Sequence, residues 1–373
     1  MWKQFCVKPA IHQFDTAKDF CEKFHIGEGD LLFVSEHTYQ KFFAERTTGA
    51  TVVHYRKYGK GEPTDLMVEG ICQDLKDVSY QRVIAVGGGT ILDVAKLFAL
   101  KQVSPVGELF EKKLPIEKDK RLVLVPTTCG TGSEVTNISI LELTQKGTKL
   151  GLAAEELYAD DAVLIPELLS DLPASVFATS SIDALIHSIE SFTSPKASAF
   201  SRLYSKKAMS IILETYQKLE TEGMDQRKKY MEQMLLASTY AGIAFGNAGC
   251  AAVHAMSYPL GAKYHVPHGE ANYAMFTGVY YAYLELDPDG GIQELNQILA
   301  SLLGCETKDV YQELDHLLGF LIPKKALREY GVTKEDIDAF TDVVMTKQGR
   351  LMANNYTELT REKVAEIYRS LYA

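Results

Sequence analysis

The 373-residue sequence has no long run of like charge, and that absence narrows its function first. Lys plus Arg is 39 against 49 Asp plus Glu, a formal net charge of -10. An acidic chain without a basic tract argues against nucleic acid as the main partner. It leaves room for a small anionic substrate, which one or two local cations can hold. Cysteine is sparse: Cys6, Cys21, Cys72, Cys129, Cys250 and Cys305 form no C-x-x-C pair. In a chain this long, scattered cysteines indicate reduced thiols rather than a disulfide framework. The start, Met1-Trp2-Lys3-Gln4, lacks the apolar core and small-residue cleavage site of a signal peptide. The expected location is the cytoplasm. Internal repeats and low-complexity tracts are also lacking.

Charge is missing altogether between Gln233 and Ala262, a stretch long enough to span a bilayer. Gly242, Gly246, Asn247, Gly249, His254 and Pro259 interrupt it, so a buried helix pair turning at 246–249 is expected and no membrane partner.

With 46% hydrophobic and 24% charged residues, the chain can bury a sizeable core, and its length suggests two domains. The first half alternates apolar runs at 31–34, 51–55, 82–86 and 122–125, with another at 162–165, and helical patterns at 37–46, 65–76 and 90–101. Strand, helix, strand in repetition implies a parallel sheet. The second half carries helix-spaced apolar residues at 182–192, 201–220, 227–245, 292–303, 308–318 and 361–371. The expected architecture is an α/β domain over 1–170, Rossmann-like, and an all-α domain over 171–373. The boundary falls near Leu168 to Pro173.

The G-x-G-x-x-G fingerprint of a standard Rossmann site is absent. Instead, Val86-Gly87-Gly88-Gly89-Thr90 ends a strand and opens a helix, with Asp93 and Lys96 in its first turns. Glycines admit a pyrophosphate to the backbone, and a helix start favours an anion. A tight turn without a ligand would look the same. A second loop, 126–134, also follows a strand and offers Thr127, Thr128, Thr131 and Ser133 around two glycines. Two such loops after parallel strands suit a dinucleotide, because ligands of open α/β sheets sit at strand carboxyl ends. Glu36 follows the first of these strands. It can accept from an adenosine ribose and would repel a 2′-phosphate, which favours NAD over NADP; a solvated surface Glu is the alternative.

Asp183 and His187, four apart in a helical segment, can face one ion. His254 and His268 flank an expected break at Pro259-Leu260-Gly261. One carboxylate and three imidazoles suit Fe(II), Zn(II) or another first-row metal.

In the blocks 87–93, 126–136, 183–190, 244–261 and 267–269, taken in this order, the sequence resembles the iron-dependent (group III) alcohol dehydrogenases. The resemblance implies a dehydroquinate synthase-like N-terminal α/β domain and a helical C-terminal domain, with the site in the cleft between them. It implies Asp183, His187, His254 and His268 as ligands of Fe(2+), with Zn(2+) as the alternative. It further implies Gly88, Gly89 and Thr90 at the pyrophosphate, Thr127, Thr128, Thr131 and Ser133 in the second cofactor loop, and Lys149 near the ribose. Asp93 is counted with the cofactor loop, and Glu36 stands where the family usually has Asp. The implied reaction interconverts a primary alcohol and its aldehyde with NAD, the metal serving as Lewis acid. A homo-oligomer is the expected assembly. Segments 194–198 and 264–273 are similar to those of members acting on 4-hydroxybutyrate and succinate semialdehyde.

One position departs from the family. Many members carry a histidine, assigned to proton transfer, where this chain has Tyr258; Tyr258 or His265 is then the expected relay. A carboxylate-bearing substrate needs a distant cation. Lys263 leads, since it ends the uncharged run, with Arg202, Lys196 and His265 in reserve. Three other classes compete: a cyclising lyase of the dehydroquinate synthase type, a nucleotide-binding regulator and a metal hydrolase.

Overall fold

The structure, a computed structural model, describes residues 4–59, 61 and 63–373. Met1 to Lys3, on which part of the signal-peptide expectation rests, lie outside the described residues. The chain divides into two compact units, one over Val7–Leu172 and one over Pro173–Ala373 that also takes in the described N-terminal residues 4–6.

The first unit is built on a parallel sheet of six strands. These are β1 (Ala10–Gln13), β2 (Asp30–Val34), β3 (Thr51–Val53), β4 (Arg82–Gly87), β5 (Arg121–Pro126) and β8 (Asp161–Leu164), in the order β1-β8-β5-β4-β2-β3. β6 (Ile138–Leu143) and β7 (Thr148–Ala153) form a separate antiparallel pair. The central strands are continuous Val/Leu/Ile/Ala runs because both faces of a parallel sheet are covered, and nearly every residue in them is buried.

Charge marks one edge of the sheet. Asp30 opens β2 and Arg82 opens β4 directly opposite; they pair through two 2.7 Å contacts. Arg121 and Asp161 pair likewise at 2.7 Å where β5 and β8 begin. With the amino edge pinned this way, the carboxyl edge carries the loops after β2, β4 and β5, three adjacent strands.

Two expectations for this unit are corrected. β1 was not anticipated: it is a four-residue, mostly exposed edge strand whose pairing comes only from β8. The segment 37–46 is not one α-helix but a short turn, Glu36–Thr38, followed by a wider π-helical turn, Tyr39–Phe43.

The second unit has no strand among its described residues. At its centre runs the Ala174–Thr193 helix, buried almost all round from Phe177 onward and packed against the Ala199–Glu222, Met231–Ala248 and His268–Leu286 helices. A helix apolar on every side belongs in a core, not on a surface. The N-terminal residues join this unit through Phe5, stacked on Phe200 and Tyr204, and through Asn247, whose side chain accepts from Cys6 N at 2.7 Å and donates to Cys6 O at 2.9 Å.

The uncharged stretch folds as the Met231–Ala248 helix, a turn at Gly249 with φ 81°, and the Ala252–Tyr264 helix. The break expected at Pro259 does not occur; the helix runs through it to Tyr264. The segment 227–245 begins as a 3-10 turn, Met224–Tyr230, and only then becomes α-helical. The His268–Leu286 and Lys334–Lys347 helices were not anticipated. No helix is long and apolar enough to cross a membrane, among the described residues.

Candidate metal centre and cofactor loops

In the first unit, β4 ends at Gly87 and Gly88 caps the helix Gly89–Leu97. The second loop follows β5 and lies directly against the first. A Cβ on Gly89 would stand 2.6 Å from Thr131 Cγ2, and one on Gly88 would stand 3.3 Å from Thr128 Cγ2. Gly89 therefore lets the two loops meet and Gly88 fits tightly against Thr128, and the helix start keeps the free backbone amides that suit an anion. Thr127 N donates to Gly87 O at 3.0 Å, which joins the loops at their root.

Asp93 and Ser133 are engaged with each other: Ser133 Oγ donates to Asp93 Oδ1 at 2.5 Å, and Ile140 N donates to Oδ2 at 3.1 Å. Sequence reasoning gave no role to Lys96, which is fully buried beneath them. Its ammonium donates to Ser133 Oγ at 2.8 Å and Ile138 O at 2.7 Å, and stands 3.2 Å from Asp93. Burial lowers its pKa, and Asp93 opposes that shift. This buried knot holds the second loop, the first helix and β6 together. Asp93 and Ser133 thus brace the loops from behind.

Thr90, Thr127, Thr128 and Thr131 are partly exposed on the loops. Glu36 lies just past β2 and is exposed; His54 pairs with it at 2.9 Å and Gln40 donates to it at 2.9 Å. Lys149 sits on β7 opposite Glu142.

In the second unit, four sequence-predicted side chains come together from three helices. Asp183 and His187 lie one turn apart on the Ala174–Thr193 helix, His254 in the first turn of Ala252–Tyr264, and His268 at the start of His268–Leu286. Asp183 Oδ1 is 3.5 Å from His254 Nε2 and 3.7 Å from His268 Nε2, and Asp183 Oδ2 is 3.9 Å from His187 Nδ1. Ligand atoms 2.0–2.2 Å from a tetrahedral ion stand roughly 3.3–3.6 Å apart, so these spacings are near those of a shared cation. His187 Nδ1 and His254 Nε2 are buried and have no hydrogen-bond partner among the described residues. Unsatisfied buried nitrogens of this kind are costly and call for an acceptor of their lone pairs. A divalent metal fits the donor set. Burial would raise the Asp183 carboxyl, but His187, His268 and His254 together hold it below the usual carboxylate range.

The surrounding residues were missed from sequence. Glu190, completely buried and two turns beyond Asp183, accepts from Ala251 N at 3.0 Å, Val253 N at 2.7 Å and His254 Nδ1 at 2.5 Å. That bond fixes the tautomer and leaves Nε2 free to coordinate. Asn272 donates to Asp183 Oδ1 at 2.8 Å, and Phe245 stacks on His187 with ring centroids 4.1 Å apart. The spacing 183, 187, 190 and the pair 268, 272 could have pointed to Glu190 and Asn272, since each set shares a helix face.

The expected proton and substrate groups fare unevenly. Tyr258 is one turn beyond His254, its ring 5.9 Å from that of His268, and burial pushes its phenol up to about 12. It is therefore protonated at neutral pH. His265 ends the helix in a left-handed conformation, exposed, three residues before His268. Lys263 pairs through its ammonium with Asp336, and it lies nine residues, or half a turn in phase, from His254 on the same helix. Arg202 is engaged with Glu294 at 3.1 Å and lies over the Phe192 ring. Lys196 is exposed.

An additional cation lies near Tyr258. Asn354 donates to Cys250 O at 2.9 Å and Arg350 O at 3.3 Å, which holds the short helix Gly349–Met352 against the loop leading to His254. Arg350 is exposed, makes no side-chain ion pair among the described residues, and its charge favours the ionised form of Tyr258.

A parallel α/β unit with paired glycine and threonine loops, together with a helical unit holding an Asp-His-His-His cluster, defines a metal-dependent, nucleotide-binding class of oxidoreductase. Family models agree across both units. Residues 14–166 match the iron-containing alcohol dehydrogenases, and residues 177–372 match the C-terminal part of the Fe-containing alcohol dehydrogenase family. The chain is 47% identical over 366 residues to 4-hydroxybutyrate dehydrogenase of Clostridium kluyveri, covering 98% of this chain and 99% of that one. It is 34% identical to long-chain-alcohol dehydrogenase 1 of Geobacillus thermodenitrificans, covering 80% and 76%. In fold it matches the sulfoacetaldehyde reductase of Bifidobacterium kashiwanohense, solved in complex with NAD+, with a TM-score of 0.85 at 21% identity over 100% of this chain and 99% of that one. The chain belongs to the iron-containing alcohol dehydrogenase family. That membership sets aside the cyclising lyase, the regulator and the hydrolase.

Proposed function

We propose that the protein interconverts 4-hydroxybutyrate and succinate semialdehyde with NAD and a divalent metal, iron in the first instance and zinc as the alternative. The carrying observation is the convergence of Asp183, His187, His254 and His268, with two buried nitrogens unpartnered. The 47% identity to a 4-hydroxybutyrate dehydrogenase over nearly the full length of both chains supports the substrate.

In this reading residues 1–170 hold the cofactor and residues 171–373 the metal and substrate. When bound, the metal supplies Lewis-acid polarisation of the substrate oxygen and NAD supplies the hydride acceptor. Gly88, Gly89 and Thr90 offer the helix start to the pyrophosphate, and Thr127, Thr128 and Thr131 offer hydroxyls. Lys149 serves the ribose side. Asp93, Ser133 and Lys96 keep the loops in shape. Glu36, steadied by His54 and Gln40, accepts from the adenosine ribose and disfavours a 2′-phosphate.

Glu190 holds His254 by Nδ1, which leaves Nε2 as the nitrogen that would hold the metal, and Asn272 orients Asp183. Because burial keeps the Tyr258 phenol protonated, His265 is the proton relay to solvent and Tyr258 a hydrogen-bond donor. Arg350 replaces Lys263 as the reader of the substrate carboxylate, on the strength of a charge that reaches Tyr258 and a backbone tied through Asn354 to the Cys250 carbonyl. The enzyme works as a cytoplasmic homo-oligomer. The test is anaerobic NADH formation, with Fe(II) or Zn(II), on 4-hydroxybutyrate and on 1-butanol. Turnover of the hydroxy acid at least tenfold more efficient than that of the plain alcohol supports the reading; equal efficiencies overturn the substrate assignment.

A further inference from the structure

Cys250 lies in the turn between the Met231–Ala248 and Ala252–Tyr264 helices and is buried. Its sulphur, a nitrogen of His187 and a nitrogen of His254 all lie within 4.8 Å of one another. A second triad, Asp183, His254 and His268, meets the same criterion. The two share His254, so one centre has an oxygen-bearing side and a sulphur-bearing side.

The thiol is also held in place. Gly249 N donates to Phe245 O at 2.6 Å, Ala251 N donates to the Glu190 carboxylate at 3.0 Å, and Asn354 Nδ2 donates to the carbonyl of Cys250 itself at 2.9 Å. A Cβ on Gly249 would stand 3.0 Å from Asn354 Cγ, so the turn and the Asn354 side chain fit closely. Backbone anchoring on both sides of a residue is what a ligand position requires if it is to keep its geometry. His187 Nδ1 and His254 Nε2 are both buried and have no hydrogen-bond partner among the described residues, so each histidine of this triad has a ring nitrogen to offer.

We propose that Cys250 is a sulphur donor to the metal centre, binding as a thiolate alongside His187 and His254. This inference rests on the metal site proposed above. On coordination a metal–sulphur bond forms, the S–H bond breaks and the proton leaves to solvent; no electron is transferred. A thiolate favours Zn(II) and Co(II), whereas the carboxylate of Asp183 serves harder ions. The centre therefore has two modes of coordination, and the ion present decides which is used.

The experiment uses the full-length protein, stripped of metal and titrated anaerobically with Co(II). Ligand-field bands in the visible report binding, and a thiolate-to-cobalt charge-transfer band in the near ultraviolet reports sulphur. The expected result is both sets of bands in the parent, with the charge-transfer band lost in Cys250→Ala and the visible bands kept. Visible bands without charge transfer in the parent, or charge transfer that survives Cys250→Ala, overturn the sulphur assignment and leave the metal site standing. No cobalt bands at all overturn the metal site as well. Should Cys250→Ala fail to fold, X-ray absorption of the zinc-loaded parent decides: a sulphur shell at about 2.3 Å supports the proposal, and only nitrogen and oxygen at about 2.0–2.2 Å refutes it.

Discussion

Replacing Glu190 by Gln tests whether the buried carboxylate behind His254 tunes the metal. The side chain is completely buried and its two oxygens take three N–H donors, from Ala251, Val253 and His254. Gln is nearly isosteric but brings one oxygen and one NH2. Its oxygen can keep the two donors at the Oε2 position, Ala251 N and His254 Nδ1. The NH2 then faces Val253 N and leaves that donor unpaired, at about 1–3 kcal/mol. The bond from His254 also loses its charge assistance, so the imidazole becomes a weaker ligand. Changes to carboxylates behind ligating histidines weaken metal binding about 10- to 100-fold, which is about 1.4–2.8 kcal/mol. The assay is Zn(II) competition against a chelator of known affinity, run beside thermal unfolding of the metal-free protein. Both affinity and Tm should fall. Unchanged affinity with a lower Tm would show that Glu190 only closes off backbone donors, and the tuning argument would fail.

Gly269→Ala should cost about 3 kcal/mol, or roughly 6–12 °C in Tm for a unit of this size. The new Cβ would stand 2.7 Å from the Thr179 carbonyl carbon and closer to its oxygen, and backbone cannot swing away; an unchanged Tm in calorimetry would refute this packing. Arg350→Met should lower kcat/KM on 4-hydroxybutyrate about 10- to 100-fold, the worth of a charge-assisted contact, and spare 1-butanol. Lys263→Met, which breaks the pair with Asp336 and the contact with the Tyr264 ring, should leave the ratio of the two substrates unchanged; the opposite pattern in steady-state kinetics restores Lys263 as the reader. Glu36→Ser should raise NADP turnover relative to NAD, and equal use of both cofactors by the parent would remove Glu36 from the discrimination.

The sheet was readable because a strand covered on both faces needs an unbroken apolar run, and 82–86 and 122–125 are such runs. β1 was not, because Ala-Ile-His-Gln at an exposed edge has neither that run nor clean alternation. The π-helical turn at 39–43 leaves no mark that distinguishes it from an α-helical pattern. Pro259 misled in the other direction. Proline removes one donor and crowds the carbonyl four residues back, yet the helix from Ala252 absorbs it, so a strong local signal yields to the tertiary packing of a buried segment.

The site divides along a similar line. Asp183 and His187 were legible as a pair because four residues is one helical turn, and the same arithmetic reaches Glu190, but a glutamate two turns on carries no sign of being buried until the partner loop is in place. Cys250 read as one of six scattered thiols, since His187 lies on a distant helix and the short step to His254 crosses a turn rather than a helical face. Lys263 shows the converse case. Sequence nearness put it between two ligands, His254 and His268, but phase decides where a helical side chain points. At about 100° per residue, Tyr258 is 40° from His254 while Lys263 is 180° away, and its ammonium finds Asp336 instead. Arg350, nearly a hundred residues later, is brought beside the His254 loop by one asparagine that binds the carbonyls of both Cys250 and Arg350. The cation proposed to read the substrate is thus placed by the backbone to which the ligand loop is tied, and not by its distance along the chain.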